Sequence, residues 1–540
     1  MSSASSSKSD ASDFFALLPH RCTQAKPVLR SPPVTAIEVH PQEIIPAENR
    51  ERSALPVRLA LLLILLIAAS LRFYHLGRHS LWFDEGLTAR LLRAPLPDML
   101  HAITTYEQTP PLFYFLLRPV VALLGDSESI LRLPSAIYGT LSVLALYLAT
   151  QRAFNTAAAL TSALLLALSP YHVAYSQEAR AYALFVLLTI LSSDLLMRAF
   201  QRRRGWIDAL YILTSTALLY THLYGIFVLA AHHVAWLVST AAHRKAPRPL
   251  DLPRWFTLNF AIAILYAPFL PTVRDWLGIV QHGFWVKRVT WNDIAAAYET
   301  YAGSAPLLIA LLALIVIALV LRPRSRPQTA SQLHKVDATI QSNVPARSLW
   351  LLILLLPVVI PVTISVLTRP TFSARYAMPA SLGLYVLAGA GLSQISRLNL
   401  QIPAATILAT LTLFPSTLPD PKPQWRQAAH YLELHMRPGD LAAINRKGAI
   451  CLWDYYIRSR PDLRRIGFDG TALPVTQPLD PGRHVWLIAY TNEIPPNVMI
   501  QRGHWIVGRQ KIFRNILIFE LFDPPSPSAT TQESTRDKRL

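Results

Sequence analysis

The sequence predicts an all-α polytopic membrane protein with a small α/β domain near its C-terminal end. Three observations predict this. Only 15% of the residues are charged and 52% are hydrophobic, whereas soluble globular chains carry about 25% charged residues. Eleven apolar runs reach or approach the roughly 20 residues that a helix needs to cross the hydrocarbon core. Beyond about residue 417 these runs give way to one amphipathic helix and short strand-like segments separated by turns.

In chain order, residues 1–55 are rich in Ser, Pro and charge and read as a disordered cytoplasmic tail. The first long apolar run follows that tail, so it reads as a signal anchor, not a cleaved leader. The eleven runs lie at about 57–75, 130–150, 156–171, 181–200, 206–221, 223–241, 255–273, 304–321, 348–367, 375–395 and 401–416. Segment 111–124 is short and carries Arg118 and Pro119 at its middle, which predicts a helix lying in the membrane interface. With 111–124 not crossing, Arg152, Arg202 to Arg204, the basic residues from Arg244 to Arg254, Arg322 to Arg326, and Arg397 all fall in alternate loops. Retention of Lys and Arg on the cytoplasmic side then places the N-terminus inside. Regions 72–129, 171–180, 274–303, 368–375 and everything from about 417 come to lie outside.

Residues 417–525 form the predicted outer α/β domain. The helix is Trp425 to His435, a turn follows at Pro438, Gly439 and Asp440, and strands run over 441–444, 484–490 and 516–522. Residues 526–540 read as a second disordered tail. The net charge of +19 is spread over many loops and forms no single patch, so it argues for topology and against a nucleic-acid partner. The two cysteines, Cys22 and Cys451, have neither metal-type spacing nor a disulfide framework.

Chemistry-bearing residues gather in the outer regions. Asp84 and Glu85 form an adjacent acidic pair shortly after the first apolar run. Carboxylates so close to a bilayer are costly and mark function, although the same pair also suits a helix N-terminus. Gln177, Glu178 and Arg180 stand in the next outer loop, and Asp126 with Glu128 makes a third acidic cluster. Lys287, Arg288 and Arg375 are basic residues on the face that the insertion bias depletes. Guanidinium and ammonium groups there suit phosphate oxygens or anionic headgroups. Trp82, Tyr106, Tyr114 and Tyr175 read mainly as an interfacial aromatic belt.

Several stretches occur in a characteristic order: Trp82, Phe83, Asp84 and Glu85; Thr109 to Tyr114; Gly125 to Glu128; Arg132 to Ala136; Ser169 to His172 with Tyr175 to Arg180; Tyr220 to Tyr224; Ser373 to Pro379; and Gln424 to Ala428. In this the chain resembles the GT-C glycosyltransferases of the protein mannosyltransferase and aminoarabinose transferase type, families 39 and 83, and their bacterial members in particular. It departs from many relatives at Thr109, where they carry His, and no role is carried over to that position.

The resemblance implies a GT-C catalytic domain over 56–416 with a cavity open to the outer leaflet of a bacterial inner membrane. It implies a polyprenyl-phosphate-linked sugar as donor, with an acceptor hydroxyl on a glycan, lipid or protein. Asp84 is then the residue that serves the acceptor, with Glu85 and Glu178 as further catalytic candidates. Arg375, Tyr376, Lys287, Arg288, Arg180, His222, Tyr224 and Gln177 are the substrate-binding candidates. No zinc-type ligand cluster stands out, no firm cofactor is assigned, and a carboxylate-bound Mg²⁺ or Mn²⁺ stays open. The competing function class is a transporter or lipid flippase of envelope glycan precursors. Such proteins usually carry inverted repeats and broken helices, and the sequence shows no convincing internal repeat.

Overall fold

All eleven apolar runs are helical in the computed structural model, which describes residues 47–107, 109–242, 250–282, 288–321, 333–395, 398–413, 422–470, 473, 484–491, 500 and 505–522. Nearly all of both predicted tails, and Lys287, lie outside the described residues. Leu55–Leu540 is one compact unit.

The region expected to lie outside first, 72–129, is mostly helical. After α1 (Ala47–Phe73) come α2 (Phe83–Arg93), α3 (Leu96–Ala102) running on into a π-helical turn, and α4 (Leu112–Leu124). The 13 residues of α4 rise only about 20 Å, short of the ~30 Å hydrocarbon core. The Arg118 guanidinium donates to Ala94 O at 3.0 Å, capping the end of α2. Then follow α5 (Glu128–Ala153), α6 (Thr156–Leu168), α7 (Pro170–Ser176), α8 (Tyr182–Gln201), α9 (Gly205–Leu219), α10 (Gly225–Ala242), α11 (Leu252–Tyr266) and α12 (Leu270–His282). The series closes with α13 (Trp291–Ala302), α14 (Ala305–Val320), α15 (Leu333–Leu367), α16 (Pro379–Leu392) and α17 (Leu398–Leu413).

Among the described residues, six stretches are long and apolar enough to cross a membrane: Leu55–Phe73, α5, α8, α10, Leu252–Gly278 and Pro345–Leu367. The α6–α7 pair bends by 61° and the α13–α14 pair by 85°, and counting each as one span gives eight. The remaining runs, α9, α16 and Leu400–Thr412, are shorter apolar helices. The two bends are locally encoded. Ser169 caps α7 through its hydroxyl, and Gly303, at φ 103°, ends α13 just ahead of the Ser304 cap of α14.

Helix α16 is the central element, with all 14 of its residues buried. Three glycines let neighbours approach its backbone. A Cβ on Gly383 would sit 2.5 Å from Trp350 O of α15, one on Gly389 2.6 Å from Ala158 O of α6, and one on Gly391 1.9 Å from Leu314 O of α14. Small residues that bring helix backbones together are the usual means of association inside lipid.

The C-terminal part holds α18 (Trp425–His435), α19 (Ile450–Tyr456) and strands β1 (Leu441–Asn445), β2 (Arg464–Phe468), β3 (Val485–Tyr490), β4 (Ile506–Phe513) and β5 (Ile516–Phe522). The sheet order is β2-β1-β3-β5-β4, parallel among β2, β1 and β3 and antiparallel at β5 and β4. One sheet face, with Trp486, Ile488 and Ile518, joins α18 and α19 in a core continuous with Leu81, Leu91, Phe113 and Leu131 of the membrane-proximal helices. The sheet domain thereby packs on α2 through α19, beside the acidic pair.

Candidate active site

The first turn of α2 sends its two carboxylates to different surroundings. Glu85 is fully buried, and its Oε1 and Oε2 accept from the Arg132 guanidinium at 2.7 and 2.8 Å. Oε1 also accepts from the Ala179 backbone N–H at 2.9 Å, and Oε2 from Lys422 Nζ at 3.1 Å. Burial alone pushes a carboxylate up. Here Arg132 and Lys422 outweigh it and hold Glu85 down at about 2. Arg132 has its remaining donors on the carbonyls of Leu76, His79 and Ser80, so the pair also ties down the loop between α1 and α2. Both Glu85 oxygens are thereby committed to two cations and a backbone N–H.

Asp84 is partly open, with 17% of its side chain exposed, and its Oδ2 lies 3.5 Å from Arg375 Nη1. Arg375 comes from the connection between α15 and α16, which is fixed by neighbouring hydroxyls. Tyr171 and Tyr301 donate to Ala374 O at 2.9 and 2.8 Å, Tyr224 donates to Thr371 O at 2.6 Å, and Ser365 Oγ accepts from the N–H groups of Thr371 and Phe372. The Arg375 guanidinium also faces the rings of Tyr376 and Trp82, at 5.2 and 5.9 Å from their centroids.

Glu178 completes the group. Its Oε1 is 3.8 Å from Lys422 Nζ, and its buried Oε2 has no hydrogen-bond partner among the described residues. Burial raises it, Lys422 lowers it, and the charges of Glu85 and Asp84 raise it further, to about 7. Asp84, Glu178 and Arg375 thus meet in space although they lie far apart in the chain.

The other expected site residues fall into three sets. His222, Tyr224 and Tyr376 form an aromatic wall beside Arg375, with the His222 ring 5.7 Å from Tyr224 and 5.2 Å from Tyr376. Burial, then the charges of Arg180 and Arg375, press His222 down to about 3, so the imidazole is neutral. Arg180 lies beneath Asp84 and is engaged internally, with Nη1 on Glu107 at 2.7 Å and Nη2 on Thr109 at 3.1 Å. Tyr114 joins this network through a 2.5 Å hydrogen bond to Glu107. The side chains of Gln177 and Arg288 do not join the group, although Gln177 O accepts from Lys422 Nζ at 3.3 Å. The Gln177 amide donates to the carbonyls of Leu71, Arg72 and Tyr74 and so caps α1. Arg288 is exposed ahead of α13 and has no ion pair among the described residues. Lys287 lies outside them.

The aromatic belt expected from the sequence gives way to an interior role at Tyr114 and Tyr175. Tyr114 is wholly buried against Glu107 and Arg180. Tyr175 packs edge-on between Tyr171 and Tyr182, with both centroids 4.9 Å away. The side chain of Tyr106 is not among the described ones.

Sequence reasoning missed Lys422 and Glu107. Lys422 carries the same signal that singled out Arg375, a basic residue in a stretch expected to lie outside, and stands two positions before the Gln424–Ala428 stretch. Glu107 stands just before Thr109 and its two prolines. Among the described residues, no group of three or more His, Cys, Asp and Glu side chains is arranged to hold a metal ion.

Residues 108–271 match the family model of dolichyl-phosphate-mannose-protein mannosyltransferases. No curated protein matches the chain by sequence. Among solved structures the chain is similar to ArnT from Cupriavidus metallidurans bound to undecaprenyl phosphate, at TM-score 0.54 and 12% identity, over 87% of this chain and 98% of that one. It is also similar to the archaeal oligosaccharyltransferase AglB from Archaeoglobus fulgidus, in complex with an inhibitory peptide and a dolichol-phosphate. That match has TM-score 0.50 and 13% identity, over 77% of this chain and 65% of that one. The resemblance to GT-C membrane glycosyltransferases read from the sequence therefore recurs in a matched family model and in the fold of a multi-pass membrane protein.

Proposed function

We propose, with that shared fold as premise, that the chain is a membrane glycosyltransferase moving a sugar from a polyprenyl-phosphate donor to an acceptor hydroxyl on a glycan, lipid or protein. The observation that carries this is the approach of Asp84 to Arg375, 3.5 Å apart, with Glu178 close by. A transfer of this kind needs a proton acceptor beside the incoming hydroxyl and a fixed cation beside the departing phosphate. The two side chains supply these two parts.

In the scheme, the acceptor oxygen bonds to the sugar C1 as the C1–O bond to phosphate breaks. The bonding electrons leave with the phosphate oxygen, and the hydroxyl proton passes to the Asp84 carboxylate. A single displacement inverts the configuration at C1. Arg375 stabilises the charge gathering on the phosphate, while Tyr376, His222 and Tyr224 wall that side. Glu85 acts as a positioning residue that holds α2 to α5 and to Lys422. Arg180 supports the first turn of α2 from below, donating to Thr88 Oγ1 at 3.4 Å.

All eleven apolar runs cross in this reading, with the N-terminus cytoplasmic and the site and sheet domain outside, in a bacterial inner membrane. The alternation of basic loops supports that orientation.

Purified protein in liposomes with a radiolabelled polyprenyl-phosphate sugar and an envelope extract as acceptor tests the proposal. Label is expected to move to the acceptor. Arg375→Ala is expected to weaken donor binding about tenfold or more, on the scale of a lost charge-assisted contact. Label that stays on the lipid but crosses the bilayer would instead identify a flippase.

A further inference from the structure

A cleft opens beside Lys422, where the loop after α1 meets the β4–β5 hairpin. It has a volume of about 240 Å³ and is lined by Arg78, His79, Ser80, Lys422, Pro423, Gln424, Gln427 and Arg514. Three of its eight lining residues are permanent cations and none is an acid. Among the described residues the Arg78 and Arg514 guanidinium groups have no ion-pair partner. The nearby carboxylates are already engaged: Glu85 by Arg132 and Lys422, and Glu128 by Arg426.

The backbone beneath these cations is built, not loose. Gln424 and Arg514 exchange two hydrogen bonds, Gln424 N to Arg514 O at 3.1 Å and Arg514 N to Gln424 Oε1 at 2.9 Å. Asn515, at φ 60°, closes the hairpin and presents Arg514 toward the cleft. On the opposite wall His79 O is fixed by Arg132, and Ser80 Oγ donates to Gln427 Oε1 at 3.3 Å. The local field is positive: His79 is held below its ordinary value, by burial first and then by Lys422, Arg132, Arg78 and Arg514. Like charges converging on a concave, acid-free surface repel unless an anion joins them. Two guanidinium forks suit the oxygens of a phosphate group.

We propose that this cleft is a phosphate-binding site, separate from the place where Arg375 meets the donor phosphate. It takes a phosphate or phosphate-ester group between Arg78 and Arg514. That group comes either from a molecule in solution or from a lipid headgroup at the adjacent membrane surface. Its test reads binding alone and does not depend on sugar transfer.

The full chain, purified in a nonionic detergent, is titrated calorimetrically with inorganic phosphate. Saturable binding is expected in the wild type, at least about tenfold weaker in Arg78→Gln and in Arg514→Gln, with binding of polyprenyl phosphate unchanged in both. In nanodiscs of phosphatidylcholine the phosphate titration should persist. Its loss in nanodiscs of phosphatidylglycerol identifies the headgroup as the resident phosphate, and its persistence there identifies a soluble source. Should a glutamine variant unfold, the charge-retaining pair Arg78→Lys with Arg514→Lys replaces it and is expected to keep binding within severalfold of wild type. No saturable binding in the wild type, undiminished binding in folded glutamine variants, or complete loss in the folded lysine pair would each overturn the proposal.

Discussion

Asp84 and Glu85 are consecutive on the first turn of α2, yet their side chains enter different environments. Glu85 is buried against Arg132, the Ala179 N–H and Lys422, while Asp84 stays partly open beside Arg375. Removing one partner of a buried ion pair typically costs about 3–5 kcal/mol. Glu85→Gln is therefore expected to lower thermal stability by an amount in that range, measured by unfolding in detergent. The pH dependences of Glu85 and Glu178 oppose each other. Glu85 is depressed on folding, so its stabilisation is present above its unfolded value of 4.5 and is lost as pH falls toward about 2. Glu178 is raised, so its contribution is present below 4.5 and is lost as pH rises through about 7. The same ionisation adds a negative charge to the group that holds Asp84 and Arg375. Transfer activity is expected to rise with pH through about 7, and Glu178→Gln should abolish that limb of the kcat/KM profile. A wild-type profile flat between pH 5 and pH 9 would refute the coupling.

At the scale of elements, α16 shows what the apolar-run pattern conveys and what it misses. Its run is unmistakable in the sequence, but nothing in hydropathy says that all 14 residues of the helix are buried among its neighbours. The information sits in Gly383, Gly389 and Gly391, each pressed against a different neighbouring helix. Gly391→Ala is expected to destabilise by about 1–3 kcal/mol or more through overpacking. Gly205→Ala, at a position with nothing within 4 Å of the added carbon, should leave stability unchanged or slightly higher. Equal unfolding temperatures for the two variants would contradict this account of the bundle. In the sheet, β1, β3 and β5 are evident as apolar runs. Strands β2 and β4 are not, because β2 opens on Arg464 and Arg465, and β4 is an exposed edge carrying Arg509, Gln510 and Lys511.

Over the whole molecule, the C-terminal sheet domain is built into the candidate site. Lys422 reaches Glu85 and Glu178, Arg426 and Tyr456 hold Glu128, and Arg458 joins Arg93 on Asp126. A Cβ on Gly86 would touch Leu452 at 2.6 Å, so α19 packs directly on α2. From the sequence alone Asp126 and Glu128 are one more acidic cluster in an outer loop; their partners lie about 300 residues further along, and no local pattern announces such pairings. Asp84 and Arg375 were legible individually because carboxylates and guanidinium groups are unexpected at an outer membrane rim, whereas Lys422 and Glu107 were legible only in retrospect. The juxtaposition of Asp84 with Arg375 is the claim on which the proposed chemistry stands. Its most direct measurement is the single-turnover rate of sugar transfer from a polyprenyl-phosphate donor by Asp84→Asn in liposomes, with donor binding measured alongside. The account predicts a rate lower by about 10²–10⁴ with donor affinity and unfolding temperature near wild type; a rate within threefold of wild type would contradict it.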